Sequence, residues 1–168
     1  MNRIFFIVFI FIIGLNLNAQ TKKELKEAQK EENFQSNKNI IESGVYFFKP
    51  ESAYTKDGKV FDFNNEKSSL TIIGNQSFAE LPYMGETKID KRTDSTSIGK
   101  ITYQNEKIAY NINYKEKKNK IVITFSTQTK DEKFNIILTI SGKNKAYLSI
   151  NSIRRDPIDY YGFVSKID

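Results

Sequence analysis

The chain contains no cysteine, no histidine and no tryptophan among its 168 residues. Without cysteine it cannot form a disulfide, so its stability has to come from an apolar core. Without histidine or cysteine it lacks the serine–histidine and cysteine–histidine catalytic pairs and the usual ligands of zinc. The eight glycines are scattered singly, and none begins a phosphate-binding loop. These absences predict no cofactor and no metal, and they leave carboxylate chemistry as the remaining catalytic option.

Residues 1–19 have the pattern of a secretory signal peptide. Arg3 precedes an apolar run over residues 4–13, and the segment ends on the small residue Ala19. This run is shorter than the roughly 20 apolar residues that cross a bilayer, and charged residues soon follow it. We therefore expect cleavage after Ala19, no stable membrane insertion afterwards, and a periplasmic or secreted protein.

Residues 20–168 have the size of one domain. We predict an N-terminal helix and linker over 20–39 and a single β domain over 40–168. Cleavage would remove Arg3 and leave 25 basic against 20 acidic residues, and the resulting net charge of +5 favours anionic envelope surfaces. Export would keep the protein away from nucleic acid, so no nucleic-acid partner is expected.

A capping box, Thr21-Lys22-Lys23-Glu24, predicts that a helix begins at Thr21. The stretch to about Asn33 is rich in good helix formers. Its apolar stripe, however, is thin and rests on residues such as Leu25 and Ala28. We therefore expect a short helix that docks loosely.

From Val45 onward, large apolar residues alternate with small or polar ones, which is the period of a half-buried strand. The connections are too short for crossover helices, so neighbouring strands should be antiparallel. Asp57-Gly58 is typical of a type I′ hairpin turn. The predicted strands are 45–49, 59–63, 69–73, 98–103, 108–114, 121–126, 134–140, 146–150 and 160–167.

The pattern predicts a mainly β fold, an antiparallel meander of about eight strands with one N-terminal helix. A sheet with one apolar face has to cover that face. With one weak helix available, we expect the sheet to curl into a lipocalin-like barrel or half-barrel, with the helix at one end or side. The alternative is an α+β open sheet with the helix packed on its concave face.

The segment Glu80-Leu-Pro-Tyr-Met-Gly-Glu86 predicts a corner in the sheet. Pro82 fixes its own φ, and Gly85 can take a positive φ. Leu81 and Met84 are expected to pack against the core. Tyr83 either packs at the rim or stands at the mouth of a cavity.

Three runs of the sequence resemble an uncharacterised family of small exported Bacteroidota proteins, a domain of unknown function. They are residues 41–48, 80–85 and 155–162, and they contain the patterns Leu-Pro-Tyr-x-Gly and Ile-x-Tyr-x-Gly. The resemblance covers roughly residues 40–167. It implies a mainly β fold, an extracytoplasmic location, and no established activity, ligand or catalytic residue.

Acidic residues in predicted turns could serve a carboxylate-dependent hydrolase if two of them faced each other across a cleft. Residues 62–66 also alternate oxygen donors, as a calcium loop does, but they lack the glycine and distal glutamate of an EF-hand. The competing interpretation is that these side chains bond to their own turns. The acidic candidates are Asp62, Glu66, Asp90, Asp94, Asp131 and Glu132, and Asn64 completes the calcium-like pattern.

Two basic clusters stand near tyrosines. Aromatic stacking together with positive charge could hold single-stranded nucleic acid. Alternation, however, places Tyr110 and Tyr114 with the core. Lysines in a hairpin also protect strand edges from pairing with other molecules. Arg154 and Arg155 could hold a carboxylate or phosphate, and the alternative for them is a surface ion pair. The lysine cluster is Lys115, Lys117, Lys118 and Lys120, with Tyr103 as the third tyrosine near it.

Three functions from different classes follow. The first is a non-catalytic binding module that holds a small amphipathic ligand in a barrel cavity. The second is a cell-envelope module that docks a protein through an outer face or a sheet edge. The third and remotest is a carboxylate-dependent hydrolase. The candidate binding residues are Tyr83, Tyr110, Arg154, Arg155 and Tyr161.

Overall fold

The computed structural model describes residues 2–63, 67–88 and 99–167, with side chains from Thr21 onward except at two positions of one strand. Several predictions from the sequence fall outside these residues. They concern Asn64 and Glu66 of the calcium-like pattern, the acidic candidates Asp90 and Asp94, and Ile98 at the start of one predicted strand.

In the described residues the chain forms one helix and ten strands. The helix is α1, Asn2–Glu42, and a single turn of 3-10 helix, Glu116–Lys118, joins β6 to β7. The strands are β1 Val45–Thr55, β2 Val60–Asp62, β3 Ser69–Ile73, β4 Gln76–Pro82, β5 Lys100–Lys107, β6 Asn111–Lys115, β7 Lys120–Gln128, β8 Lys133–Ser141, β9 Lys145–Ser152 and β10 Ile158–Lys166.

The strands form one antiparallel sheet in the order β5-β4-β3-β1-β10-β9-β8-β7-β6, with β2 paired to β1. The first and last long strands pair in the middle, from Tyr46 opposite Lys166 to Thr55 opposite Ile158. The sheet curls until Tyr103 of β5 stacks on Phe134 of β8, with ring centroids 6.0 Å apart. The predicted antiparallel β fold, curled into a half-barrel, is confirmed.

Strand β4 was not among the predicted strands because its inward positions carry little apolar surface. Ser77 and Ala79 alternate inward with Leu81, so the two-residue hydrophobic period is weak. Ser77 is tolerated in the core because its hydroxyl lies 3.0 Å from the Tyr103 hydroxyl across the β4–β5 pair. A buried hydrogen bond here replaces an apolar contact.

The β1–β2 turn differs from the predicted type I′ turn. Gly58 has a φ of 82°, whereas Asp57 does not enter the left-handed region. The Gly58 amide donates to the Thr55 carbonyl at 2.9 Å, which is a type I turn followed by a left-handed glycine. The Asp57 carboxylate accepts from the Thr55 hydroxyl and pairs with Lys59 at 2.7 Å, so its side chain bonds to its own turn.

The concave side of the half-barrel is filled with side chains. Inward positions of β7, β8, β9 and β10 alternate with exposed or half-buried ones, and those of β1 do so on either side of its register shift between Pro50 and Ser52. The apolar core that results is continuous across the sheet. Its largest fully buried members include Tyr46, Phe48, Leu70, Ile72, Ile123, Leu138 and Tyr160.

The prediction that a helix begins at Thr21 is wrong, because α1 passes through this residue without a break. No glycine or proline occurs between Leu15 and Ser43, so nothing in the sequence interrupts the helix. It also continues past Asn33 to Glu42. Gly44, with a φ of 68°, then ends it, and the Gly44 amide donates to the Ile41 carbonyl.

Among residues 21–42 of α1, whose side chains the structure describes, the last part docks on the sheet. Residues 21–32 are exposed, and Leu25 of the thin apolar stripe is 68 % accessible. Phe34, Ile40 and Ile41 are buried in the core, and Asn37 anchors them. The Asn37 amide donates to the Gly142 carbonyl at 2.8 Å and accepts from the Asn144 amide at 3.2 Å. The helix thus closes one end of the half-barrel, as the favoured sequence interpretation expected.

Substituting Gly162 by alanine should destabilise the protein by at least about 2 kcal/mol. An alanine Cβ at this position would lie 1.9 Å from the Lys49 carbonyl oxygen, where the β1–β10 ladder shifts register between Pro50 and Ser52. Urea unfolding followed by circular dichroism measures the change. Gly99→Ala is the control, since a Cβ there has no heavy atom within 4 Å. Equal midpoints for the two variants would contradict the prediction.

Candidate functional site

Tyr83 occupies the corner after β4 and is buried, with 2 % of its surface exposed. Its hydroxyl donates to the Glu86 carbonyl at 2.8 Å and lies 3.0 Å from the Asp156 carbonyl. The corner is therefore confirmed, and Tyr83 packs within it instead of standing at a cavity mouth. Burial raises the pKa of Tyr83 to about 12.

Two details of this corner differ from the sequence prediction. Met84 is 42 % exposed, because Tyr83 takes the inward position next to the buried Leu81. Gly85 does not have a positive φ. It is needed for another reason, because a Cβ there would lie 2.6 Å from the Tyr83 hydroxyl oxygen.

Arg155 is the centre of the second predicted cluster, and it is buried at 4 % exposure. Its Nε lies 3.0 and 2.8 Å from the two carboxylate oxygens of Glu132. One Nη donates to the Lys100 carbonyl at 3.0 Å, and the guanidinium lies over the Tyr83 ring at 5.1 Å from the ring centre. The expected surface ion pair is therefore wrong, since this pair is buried.

Of the two adjacent arginines, Arg155 is buried in its ion pair and does not stand in an open anion site. Arg154 is half-buried, and its backbone bonds to Lys88 and to the Ser152 hydroxyl. Glu132, one of the acidic candidates, is occupied by Arg155 and by the Ser152 hydroxyl. This cluster is a structural joint that holds the end of the half-barrel opposite to α1.

The same joint connects two of the motifs that carry the family resemblance. The Tyr160 hydroxyl donates to the Pro82 carbonyl at 2.8 Å inside the core. Burial raises the pKa of Tyr160. Backbone bonds from Lys88 to Arg154 and from Asp156 to Glu86 continue the connection. The Leu-Pro-Tyr-x-Gly and Ile-x-Tyr-x-Gly motifs are therefore adjacent in space.

Tyr161 lies on the outer face of the sheet, because it alternates with the buried Tyr160. It is 48 % exposed. Its ring makes edge contacts with Tyr54 of β1 and Tyr147 of β9, with ring centroids 5.0 and 4.9 Å apart. We call these three residues, Tyr54, Tyr161 and Tyr147, the tyrosine row. Tyr161 consequently lies outside the core, although it was considered as a cavity wall.

Tyr147 is held in place by its surroundings. Burial raises the pKa of its hydroxyl, and the hydrogen bond to the Asp159 carboxylate adds to this effect. The phenol therefore remains protonated.

Two shallow depressions mark the outer face. The first has a volume of about 400 Å³ and is bordered by Lys120, Thr139, Ser141, Lys145, Tyr147 and Tyr161. The second, of about 630 Å³, contains the half-buried Tyr110 beside outward residues of β6, β7 and β8. Of the predicted binding residues, Tyr161 lies on the outer face, Tyr110 packs against the core at the edge of the second depression, and Tyr83 and Arg155 are in the buried joint.

Sequence reasoning missed Tyr54 and Tyr147 as surface residues of interest. Alternation along β9 places Tyr147 on the other face of the sheet from Leu148, so the sequence contained a signal that Tyr147 faces outward. Tyr54 could not be assigned to a face, because the register shift between Pro50 and Ser52 changes the alternation of β1.

Comparison with known proteins identifies the family. A model of a domain of unknown function, DUF4251, matches residues 28–164. The chain belongs to this DUF4251 family. A crystal structure of a DUF4251 family protein from Bacteroides eggerthii DSM 20697 has the same fold, with a TM-score of 0.62. It is 13 % identical, and the match covers 83 % of this chain and 91 % of that one. No curated protein matches the chain.

The comparisons confirm the resemblance that was noted from the sequence, and they assign no role to this DUF4251 domain. Within the described side chains, no three histidine, cysteine, aspartate or glutamate residues are grouped as metal ligands. In the same part of the chain, no helix combines the length and the apolarity that a bilayer span requires.

Breaking the buried joint should be costly. Arg155→Met leaves the Glu132 carboxylate buried without its partner and should cost about 3–5 kcal/mol of unfolding free energy. The double variant Arg155→Met/Glu132→Leu should recover most of this loss, because it removes both charges. Urea unfolding of the set measures both effects.

The exposed pair of Lys59 with Asp57 provides the control for this series. Lys59→Gln should leave the unfolding midpoint nearly unchanged, because water screens this pair. A double variant that is no more stable than Arg155→Met would show that the joint is not an ion-pair effect.

Proposed function

We propose that this DUF4251 protein is an exported, non-catalytic binding module of the cell envelope that binds through the outer face of its sheet. The observation that carries the proposal is the tyrosine row. Three aromatic side chains lie together on the surface, and Tyr161 at its centre is 48 % exposed. Amphipathic tyrosine side chains in one exposed cluster are typical of binding surfaces.

The filled concave side supports an outer rather than an inner site. Phe48, Leu138 and Tyr160 are fully buried between the strands, and α1 closes one end. Arg155 and Tyr83 close the other end. A small amphipathic ligand held inside the half-barrel, the first interpretation of the sequence, would have to displace these groups.

Export and lack of catalysis rest on the sequence. The leader over residues 1–19 and the resemblance to exported proteins support a periplasmic or secreted location. The absence of histidine and cysteine supports a role without nucleophilic catalysis. Among the acidic candidates that the structure describes, Glu132 is the most buried, and its carboxylate is neutralised by Arg155.

Photo-crosslinking in the native host tests the proposal. A photoreactive aromatic residue in place of Tyr161 should give covalent adducts in intact cells, because its ring would face the bound partner. The same residue in place of Ile153, which is 84 % exposed in the turn before β10, is the matched control. Adducts at position 161 that do not exceed those at position 153 would overturn the proposed binding face.

A further inference from the structure

A row of lysines crosses the outer face beside the tyrosine row. Cross-strand pairing places Lys49 opposite Phe163, Phe163 opposite Lys145, and Lys145 opposite Ser141. Lys120 follows opposite Ser141, and Lys115 lies opposite Lys120. We call Lys49, Lys145, Lys120 and Lys115 the lysine row. With neighbouring strands about 4.8 Å apart, it extends over roughly 24 Å from β1 to β6.

The lysine row is exposed, and no described acidic residue forms an ion pair with it. Lys115 and Lys120 are directly opposite on neighbouring strands, an arrangement of like charges that destabilises a sheet. The sheet therefore bears an electrostatic cost that a negatively charged ligand would remove.

Neutral polar groups and aromatic rings complete this surface. The depression of about 400 Å³ lies between Lys120 and Lys145, and Tyr147 and Tyr161 border it. The Ser141 and Thr139 hydroxyls border it as well. Side-chain hydroxyls can donate hydrogen bonds to the hydroxyls of a sugar and accept hydrogen bonds from them. Tyrosine rings offer a flat apolar surface to the C–H groups of a sugar ring, and lysines attract carboxylates on an acidic sugar.

From this arrangement we infer that the outer face binds an acidic polysaccharide, a chain of sugar rings that bear carboxylate groups. The chain runs across the strands along the lysine row, and one sugar ring sits in the depression against Tyr147 and Tyr161. The inference rests on the proposed binding face and adds the chemistry of its ligand. A bilayer is a poorer match, because the row lies on paired strands and its apolar member, Phe163, is half-buried, so the row offers no protruding apolar side chain for insertion.

The test is a titration of the full chain with fluorescently labelled polygalacturonate at low ionic strength, followed by anisotropy. The row variant Lys49→Gln/Lys120→Gln/Lys145→Gln should bind about tenfold more weakly or worse, with a shallower dependence on salt. Tyr161→Ala should also weaken binding, and unlabelled dextran, a neutral polysaccharide, should not compete.

The control variant removes the same charge elsewhere. Lys22→Gln/Lys23→Gln/Lys26→Gln changes three exposed lysines of α1, far along the chain from the sheet, and should alter the affinity by less than about twofold. The row variant should unfold at the same or a higher urea concentration than the original protein, because it relieves the repulsion between Lys115 and Lys120. A loss of binding therefore cannot be attributed to a loss of structure.

Several outcomes would overturn the inference. Equal losses in the row variant and the control variant would mean that binding follows net charge alone. Absence of polygalacturonate binding, or tighter binding of a single-stranded oligonucleotide or of phosphatidylglycerol vesicles, would reject the acidic polysaccharide as the ligand. If crosslinks at position 161 persisted in these cases, the binding face would stand and its ligand would be of another class. Failure of the crosslinks would reject the face itself.

Discussion

The buried charge of Arg155 sets the strictest requirement in this structure. A guanidinium cannot leave water unless its charge is paired and its N–H groups are bonded. Glu132, the Lys100 carbonyl and the Tyr83 ring meet this requirement, and they come from three separate parts of the chain. The arginine therefore fixes where the corner after β4, the start of β5 and the β7–β8 turn lie relative to β10. Its position also determines that this end of the half-barrel is closed.

Both ends of the half-barrel are closed. α1 docks at one end through Phe34, Asn37, Ile40 and Ile41, and the Arg155 joint occupies the other. The strands between them bring their large side chains to the centre, and the binding face that we propose lies on the opposite side of the same strands. Each strand carries both roles, since Leu148 builds the core while Tyr147, next to it, builds the tyrosine row.

The sequence predicted the fold better than the site, for a physical reason. Alternation is local, so the strands around Ile123, Leu138 and Leu148 could be recognised from a few residues each, and short polar turns implied antiparallel pairing. The partner of Arg155, in contrast, is 23 residues away. Such contacts depend on which strands are neighbours in the sheet. The alternation of residues along each strand does not encode this order. The lysine row could not be recognised without the register of six neighbouring strands. The predicted helix start at Thr21 was wrong because a local capping pattern does not interrupt a helix when no glycine or proline breaks it.

The pairing of β1 with β10 has a consequence for how the molecule folds. These strands form the central ladder of the sheet, although Val45 and Lys166 lie close to opposite ends of the domain in sequence. Each of the two flanking meanders can assemble from neighbours in the chain, but they can join only after the final strand is available. Such long-range closure is slow, because the entropy of a large loop must be lost before the contacts form. During synthesis, the edge of β1 that pairs with β10 would therefore remain unpaired until β10 had been synthesised.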